Sequence, residues 1–509
     1  MGKSATYNGS PLREFLGIPF AQPPIGDLRF RKPLPLSPQS NILYAQTMPP
    51  ACPQYVPYDY PWYDNMPLKS EDCLYLNIWA PKSATQEKKA VMFWIYGGGF
   101  TYGSNRIVVY NGKVLAAEKD VIVVIPNYRV GVLGFLTSES ELAPGNMGLY
   151  DILEALKWVN ENIDYFGGNR NQITIFGESA GAIAAGLFCV SPLTKNLFQR
   201  VIMESRSHAE YSDENKKSNL RLGQRLAEAV GCANNRTSLQ KNPEAVVNCL
   251  KRIEADHLNR IVNSFNPTNI TYFNFIHGDD MFPTNPKTSL INGNVHDISL
   301  FLGFNQDEGS VDLVALDKNY FGIFGEKNPF PNKTLASKYV LDGLKEFSYR
   351  NEAVVHYLGS LGEYDFQDVR EQAYHALGDF RKACPMIYFG NSVARSGKDV
   401  YFYYFNHRSS VSAFAEWMGV NHFSEIQFVF GRPLSNPEYY TDQERELSRH
   451  MMTLWTNFAK YGNPSINTEK STPSRRNYIH LKTSEWKSSY LENHEENCHF
   501  YQPFFGYPD

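Results

Sequence analysis

The stretch "TIFGESAGAIA" (174–184) constrains this chain more than any other. An apolar strand runs straight into Gly177, Glu178, Ser179, Ala180 and Gly181, and a helix of small apolar residues follows. Strand can pass into helix over so few residues only through a sharp, strained bend. Side chains at 177 and 181 would collide with the neighbouring strand and helix, so both positions are glycine. Ala180 and Ala182 let the helix lie close to a sheet. The bend lifts Oγ of Ser179 clear of the backbone. It also aims the unpaired N–H groups of the helix start at the same point.

The rest of the chain supplies a frame for such a bend. "AVMFWIY" (90–96), "VIVVIPNY" (121–128), "ITIF" (173–176), "SLFLGF" (299–304) and "VYFYYF" (400–405) read as strands. Most are apolar on both faces, as covered parallel strands are. In "MGLYDILEALKWVNENI" (147–163), Leu149, Ile152, Leu153, Leu156, Val159 and Ile163 recur at helical spacing. "ELSRHMMTLWTNFAKYGNP" (446–464) is a second helix, stopped by Gly462 and Pro464. The region from 205 to 295 alternates less cleanly and reads as a helical excursion. Strands alternating with helices predict an α/β fold, a large and mostly parallel central sheet flanked by helices.

Composition excludes some classes. With 509 residues the chain can bury a large core, in one big domain or two to three ordinary ones. A net charge of -4 argues against a nucleic-acid surface. No run of about 18 apolar residues exists, so no transmembrane segment is expected. "MGKSATYNGSPLREF" has no apolar signal core, which leaves a cytosolic protein or one whose leader has been removed. Seven cysteines are present, and spacing alone cannot pair them. Asn8, Asn235, Asn269 and Asn332 stand in N-x-S/T sequons, tripeptides that chance also produces.

A serine hydroxyl attacks a carbonyl only with a base in reach, an acid to orient that base, and donors for the developing oxyanion. Strand, G-x-S-x-G and helix in that order resemble the nucleophile elbow of α/β-hydrolases. "YGGGF" (96–100) follows a strand, and its glycines let backbone N–H groups crowd a carbonyl. Gly98 and Gly99, with the N–H of Ala180, are the expected donors. In that fold the acid and the histidine follow the serine. Asp307 and Glu308 both sit just past "SLFLGF", and spacing does not choose between them. His407 and His422 both follow "VYFYYF", and residue chemistry divides evenly between them.

At this point the sequence resembles the type-B carboxylesterases, and within them the cholinesterases. "FLGIPFAQPPIGDLRF", "SEDCLYLNIW", "WIYGGGF", "VYNGKVLA", "GNMGLYDILEALKWVNENIDYFGGN", "TIFGESAGA", "DEGS", "HRSS", "EWMGVNHFSEIQFVFG" and "WTNFAKYGNP" match family blocks in order, nearly end to end. The resemblance implies the α/β-hydrolase fold as one domain over 1–509, with the usual N-terminal strand pair truncated. It implies Ser179 as nucleophile, Glu308 as acid and His422 as base. His407 becomes structural and Asp307 a carboxylate that fixes its loop. It implies the bridges Cys52–Cys73, Cys232–Cys249 and Cys384–Cys498, with Cys189 free and buried, and therefore a secreted or surface protein whose leader is absent. No metal or cofactor is required. The implied partner is a small-molecule ester. The C-terminal helices lie where family members form homodimers.

The resemblance also indicates which ester. Cholinesterases hold a quaternary ammonium against a tryptophan face. In the loop between Cys52 and Cys73 the candidate is Trp62, although an ungapped count back from Cys73 reaches Tyr63. Glu178 beside the serine favours a cation. Counting back from Gly278, Thr268 and Ile270 stand where acetylcholinesterases carry bulky aromatics, so acyl groups beyond acetyl are expected to fit. Some positions depart from the family pattern. "ESRS" (204–207) puts Glu204 in place of a glutamine and Arg206 in place of a glycine, where the guanidinium is expected to distort the triad or to pair with Glu308, and leaves Ser207 as the acid's expected support. Phe423 replaces a glycine beside His422. Thr101 stands where acetylcholinesterases carry tyrosine. The competing readings are a general carboxylesterase for uncharged esters and a weakly active or non-catalytic relative that captures ligands.

Overall fold

The computed structural model describes residues 1–37, 40–56, 68–82, 87–210, 214–265, 273–483, 488–489 and 491–508. The chain groups into two compact units. The first comprises Met1–Val201, Tyr211–Thr288 and Ala459–Gly462; the second comprises Ile202–Glu210, Ser289–Phe458 and Asn463–Asp509.

The first unit is built on β1 (Lys3–Tyr7), β2 (Ser10–Pro19), β3 (Tyr75–Pro81), β4 (Lys89–Ile95) and β5 (Ile122–Pro126). A small hairpin of β6 (Thr137–Ser140) and β7 (Ala143–Pro144) stands apart, and β8 (Gly168–Glu178) completes the set. The main strands lie in the order β1-β2-β3-β5-β4-β8. β1 to β3 and β5 pair antiparallel, whereas β4 lies parallel to both β5 and β8. The central strands are buried along nearly their whole length, as their continuous apolar runs require. Trp94 of β4 is fully buried against Phe176 of β8, their rings 4.7 Å apart. The helix Met147–Asn162 buries Leu149, Ile152, Leu153, Leu156 and Val159, the residues whose spacing marks it in the sequence. Helices Glu214–Ala229, Pro243–Leu250, Ala255–Ser264 and Pro286–Ile291 fill the region of irregular alternation.

At β9 (Arg200–Glu204) the chain passes from the first unit to the second. The second unit continues with β10 (Ser299–Asn305), β11 (Val400–Phe405), β12 (Tyr478–Leu481) and β13 (Ser488–Ser489). β10, β11 and β12 run parallel, and β13 closes the edge antiparallel. Phe301, Tyr403 and Trp455 pack ring against ring, and the Trp455 indole N–H donates to Glu204 Oε1 at 3.1 Å. Trp455 belongs to the helix Asp442–Tyr461, which starts four residues before the apolar period suggests. The reason is a capping box. Thr441 N–H donates to Glu444 Oε2 at 2.9 Å, and Glu444 N–H donates back to Thr441 Oγ1 at 3.2 Å.

The three bridges implied by the resemblance are formed, and Cys189 is a buried free thiol. Cys384 and Cys498 are 114 residues apart, so their bond closes the longest loop. Replacing both by serine is expected to lower unfolding stability by on the order of 4 kcal/mol, read as an earlier denaturant midpoint. An unchanged midpoint would show that this bridge does not restrain the unfolded chain.

Candidate active site

Ser179 sits between β8 and the helix Ala180–Phe188 with φ 56 and ψ −121, a backbone conformation sparsely populated by non-glycine residues. Its neighbours explain how that strain is held. A Cβ on Gly177 would stand 2.6 Å from the Ile95 carbonyl oxygen, and one on Gly181 would run into the same atom. The two glycines therefore let the helix start press onto the end of β4. A Cβ on Gly97 would come within 2.6 Å of Glu178 Oε2 and 3.0 Å of Ser179 Cβ, so the glycine loop after β4 runs directly beside the serine. Gly98 and Gly99 both have positive φ, 109 and 61, and the Gly98 carbonyl accepts from Thr101 N–H at 3.0 Å. With that carbonyl engaged in the loop's own turn, no described residue accepts from the N–H of Gly98 or Gly99. Ala180 opens its helix, where N–H groups have no intrahelical acceptor. Ser179 is 8% exposed and Glu178 is buried beside it.

The second unit brings together Glu308 and His422. His422 Nδ1 lies 2.6 Å from Glu308 Oε2, while Glu308 Oε1 accepts from Asn305 N–H at 2.9 Å. The carboxylate is thus pinned to the end of its own strand while it orients the imidazole. Asp307 turns the other way. Its Oδ2 accepts from Val420 N–H at 2.7 Å, and its own N–H donates to the Val420 carbonyl at 3.0 Å. Gly419, at φ 59, leaves that carboxylate the space a Cβ would take. Ser310 Oγ stands 2.9 Å from both the Asp307 and the Met418 carbonyl oxygens. Burial pushes the Asp307 carboxyl up, while Val420 N–H, the nearby His375 and the Tyr374 hydroxyl counter the shift.

Of the two histidines left open by residue chemistry, His407 lies elsewhere. Its Nε2 is 3.2 Å from Glu444 Oε1. Burial alone would raise the Glu444 carboxyl, but His407, Ser410 and Thr441 together hold it well below the carboxylate range.

Two expectations for the "ESRS" segment are corrected. Ser207 donates its hydroxyl to the Pro385 carbonyl at 2.7 Å instead of supporting Glu308. Arg206 does not pair with Glu308, whose side-chain partners are Asn305 N–H and His422. Its charge acts on buried Asp312, where burial raises the carboxyl and Lys382, Arg381 and Arg206 bring it below its usual value. Trp62, Thr268, Ile270 and the sequon at Asn269 lie outside the described residues. Asn8 and Asn235 are exposed, and Asn332 caps a helix by accepting from Leu335 N–H at 3.0 Å.

Sequence reasoning passed over Asn305 and Glu425. The Asn305 side-chain amide donates to the Asn421 carbonyl at 3.0 Å and to buried Glu425 at 2.5 Å, tying the end of β10 to the segment that carries His422. The signal was available, since Asn305 is a polar residue at the end of an apolar strand.

A model of the carboxylesterase family matches residues 1–501. "Acetylcholinesterase-1" of Trittame loki is 38% identical over 516 residues, covering 98% of this chain and 92% of that protein. "Acetylcholinesterase" of Electrophorus electricus is 37% identical, covering 93% and 80%. "Cholinesterase" of Mus musculus is 37% identical, covering 99% and 85%. The chain belongs to the carboxylesterase family, with that family's α/β-hydrolase fold. It is a cholinesterase-like serine hydrolase of carboxylic esters.

Phe423, beside His422, has φ 77, where a glycine would sit without cost. Phe423→Gly is expected to be more stable than Phe423→Ala by roughly 1 kcal/mol in urea unfolding, the reverse of the usual order at a negative φ. Alanine the more stable of the two would show that the backbone there relaxes when the ring is removed.

Proposed function

We propose that Ser179, His422 and Glu308 act as one catalytic triad on choline esters, with the N–H groups of Gly98, Gly99 and Ala180 as the oxyanion hole. The observation that carries this reading is the backbone of Ser179, a hydroxyl held in strain at the start of a helix. In this mechanism His422 takes the proton of Ser179 as Oγ attacks the ester carbonyl. The backbone N–H groups hold the oxyanion of the tetrahedral intermediate. His422 then protonates the leaving alcohol and activates the water that frees the acyl group. Glu308 fixes the tautomer at Nδ1 and stabilises the imidazolium.

Preference for a cationic alcohol is supported by Glu178, a buried carboxylate next to the nucleophile, and Trp62 is proposed as the aromatic face for the ammonium. Thr268 and Ile270 are proposed to leave an acyl pocket wider than in acetylcholinesterases. Three disulfides and the exposed sequons at Asn8 and Asn235 support a secreted glycoprotein. Among the described residues no helix is long and apolar enough to cross a membrane.

The test compares acetyl- and butyrylthiocholine with uncharged nitrophenyl esters. The thiocholine esters are expected to be hydrolysed with the higher kcat/KM, and butyryl about as well as acetyl. Ser179→Ala is expected to lose about 10⁴-fold or more in kcat. Glu178→Gln is expected to lower kcat/KM several-fold for thiocholine esters and little for neutral ones. Equal efficiency on charged and neutral esters would point instead to a general carboxylesterase. Activity surviving in Ser179→Ala would remove the triad.

A further inference from the structure

We propose that Tyr374 is a positioning residue for His422, acting through Asp307. The inference rests on the reading of His422 as the general base. Tyr374 lies on the helix Phe366–Gly378, and its hydroxyl donates to Asp307 Oδ1 at 3.1 Å. The other oxygen of that carboxylate holds Val420 N–H, two residues before His422. The peptide N–H of Asp307 holds the Val420 carbonyl in return. The carboxylate therefore has one oxygen on the histidine's loop and one on a helix remote in sequence.

The path from Tyr374 to the imidazole contains no soft step. Asp307 is 4% exposed and Tyr374 is 5% exposed, so neither contact is diluted by water. Gly309 allows no slack beneath them, because a Cβ there would strike the Tyr374 carbonyl oxygen. At the far end, the ring of His422 is fixed by Glu308, the covalent neighbour of Asp307. Two adjacent carboxylates thus divide one task. Glu308 sets the rotation of the imidazole, and Asp307 sets the height of the loop that carries it. Without the Tyr374 hydroxyl, Asp307 Oδ1 would lose a buried donor and the carboxylate could pivot about Cγ. The Val420 bond would move with it. A base displaced by a fraction of an ångström transfers protons poorly while substrate still binds.

The full chain carrying Tyr374→Phe tests this on nitrophenyl acetate, with thermal unfolding recorded in parallel. The expected result is a kcat lower by about tenfold or more with KM within about twofold of the parent. Phosphorylation of Ser179 by an organophosphate should slow by a similar factor. Tyr388→Phe is the control, since it also removes a buried hydroxyl of the same unit, one bonded to the Cys498 carbonyl. It should leave kcat within about twofold even if it lowers stability. Asp307→Asn, which keeps an oxygen for Val420 N–H, should retain more kcat than Asp307→Ala, and carries the test alone if Tyr374→Phe does not accumulate. A parental kcat in Tyr374→Phe, an equal loss in Tyr388→Phe, or equal kcat in Asp307→Asn and Asp307→Ala would overturn the proposal. Activity in Ser179→Ala would instead remove the underlying reading of His422 as base.

Discussion

The carbonyl oxygen of Ile95 sits where side chains at 177 and 181 would otherwise be. That single close approach, of a helix start onto the last peptide of β4, is what the geometry of the serine bend depends on. It forces glycine at both positions and bends the chain within a few residues. It leaves Ser179 in a conformation with φ 56. It also brings the glycine loop after β4 alongside, because Gly97 faces Glu178 and Ser179 with no Cβ between them. The core of Trp94 and Phe176 beneath this bend stops the strands from yielding to the strain. Burying each such aromatic contributes on the order of 2 kcal/mol, so the frame can hold a local cost of 1–3 kcal/mol.

The second unit solves a different problem, that of holding an imidazole at the end of a long irregular segment. Regular secondary structure does not reach His422. Its placement comes from side chains that each bond a backbone group: Asp307 to Val420, Asn305 to Asn421 and Ser310 to Met418. Such bonds substitute for the ladder that a strand would have provided. They also explain why so many polar residues at the end of β10 are fully buried without being reactive. A buried donor or acceptor left unmatched costs about 1–3 kcal/mol, so each of these pairs resists rearrangement.

Much of this was legible in the sequence because it is written in local chemistry. Strands β4, β5, β8, β10 and β11 follow from continuous apolar runs, and the helix over 147–163 follows from apolar period. The bend at Ser179 follows from glycine spacing. What residue chemistry could not separate were pairs of identical groups in similar context. Asp307 and Glu308 are both carboxylates just past a strand, one meeting a loop and the other a ring, and it is family resemblance, not residue chemistry, that tells them apart in the sequence. His407 and His422 differ in the same way, since each meets a glutamate, from a helix start in one case and a strand end in the other. The early start of the helix Asp442–Tyr461 was written in Thr441 and Glu444, but a capping box carries no apolar signal. Ser207 was misjudged because the Pro385 carbonyl it bonds is distant in sequence, and Arg206 because burial hides which carboxylates feel its charge.

The bond between Cys384 and Cys498 encircles the stretch that carries His422. A protease that nicked the chain anywhere inside that circle would not release either piece. The severed ends would stay tethered, and the nick would show only after reduction, as two bands in place of one. The bridge thus lets the segment between its cysteines be cut without the chain coming apart.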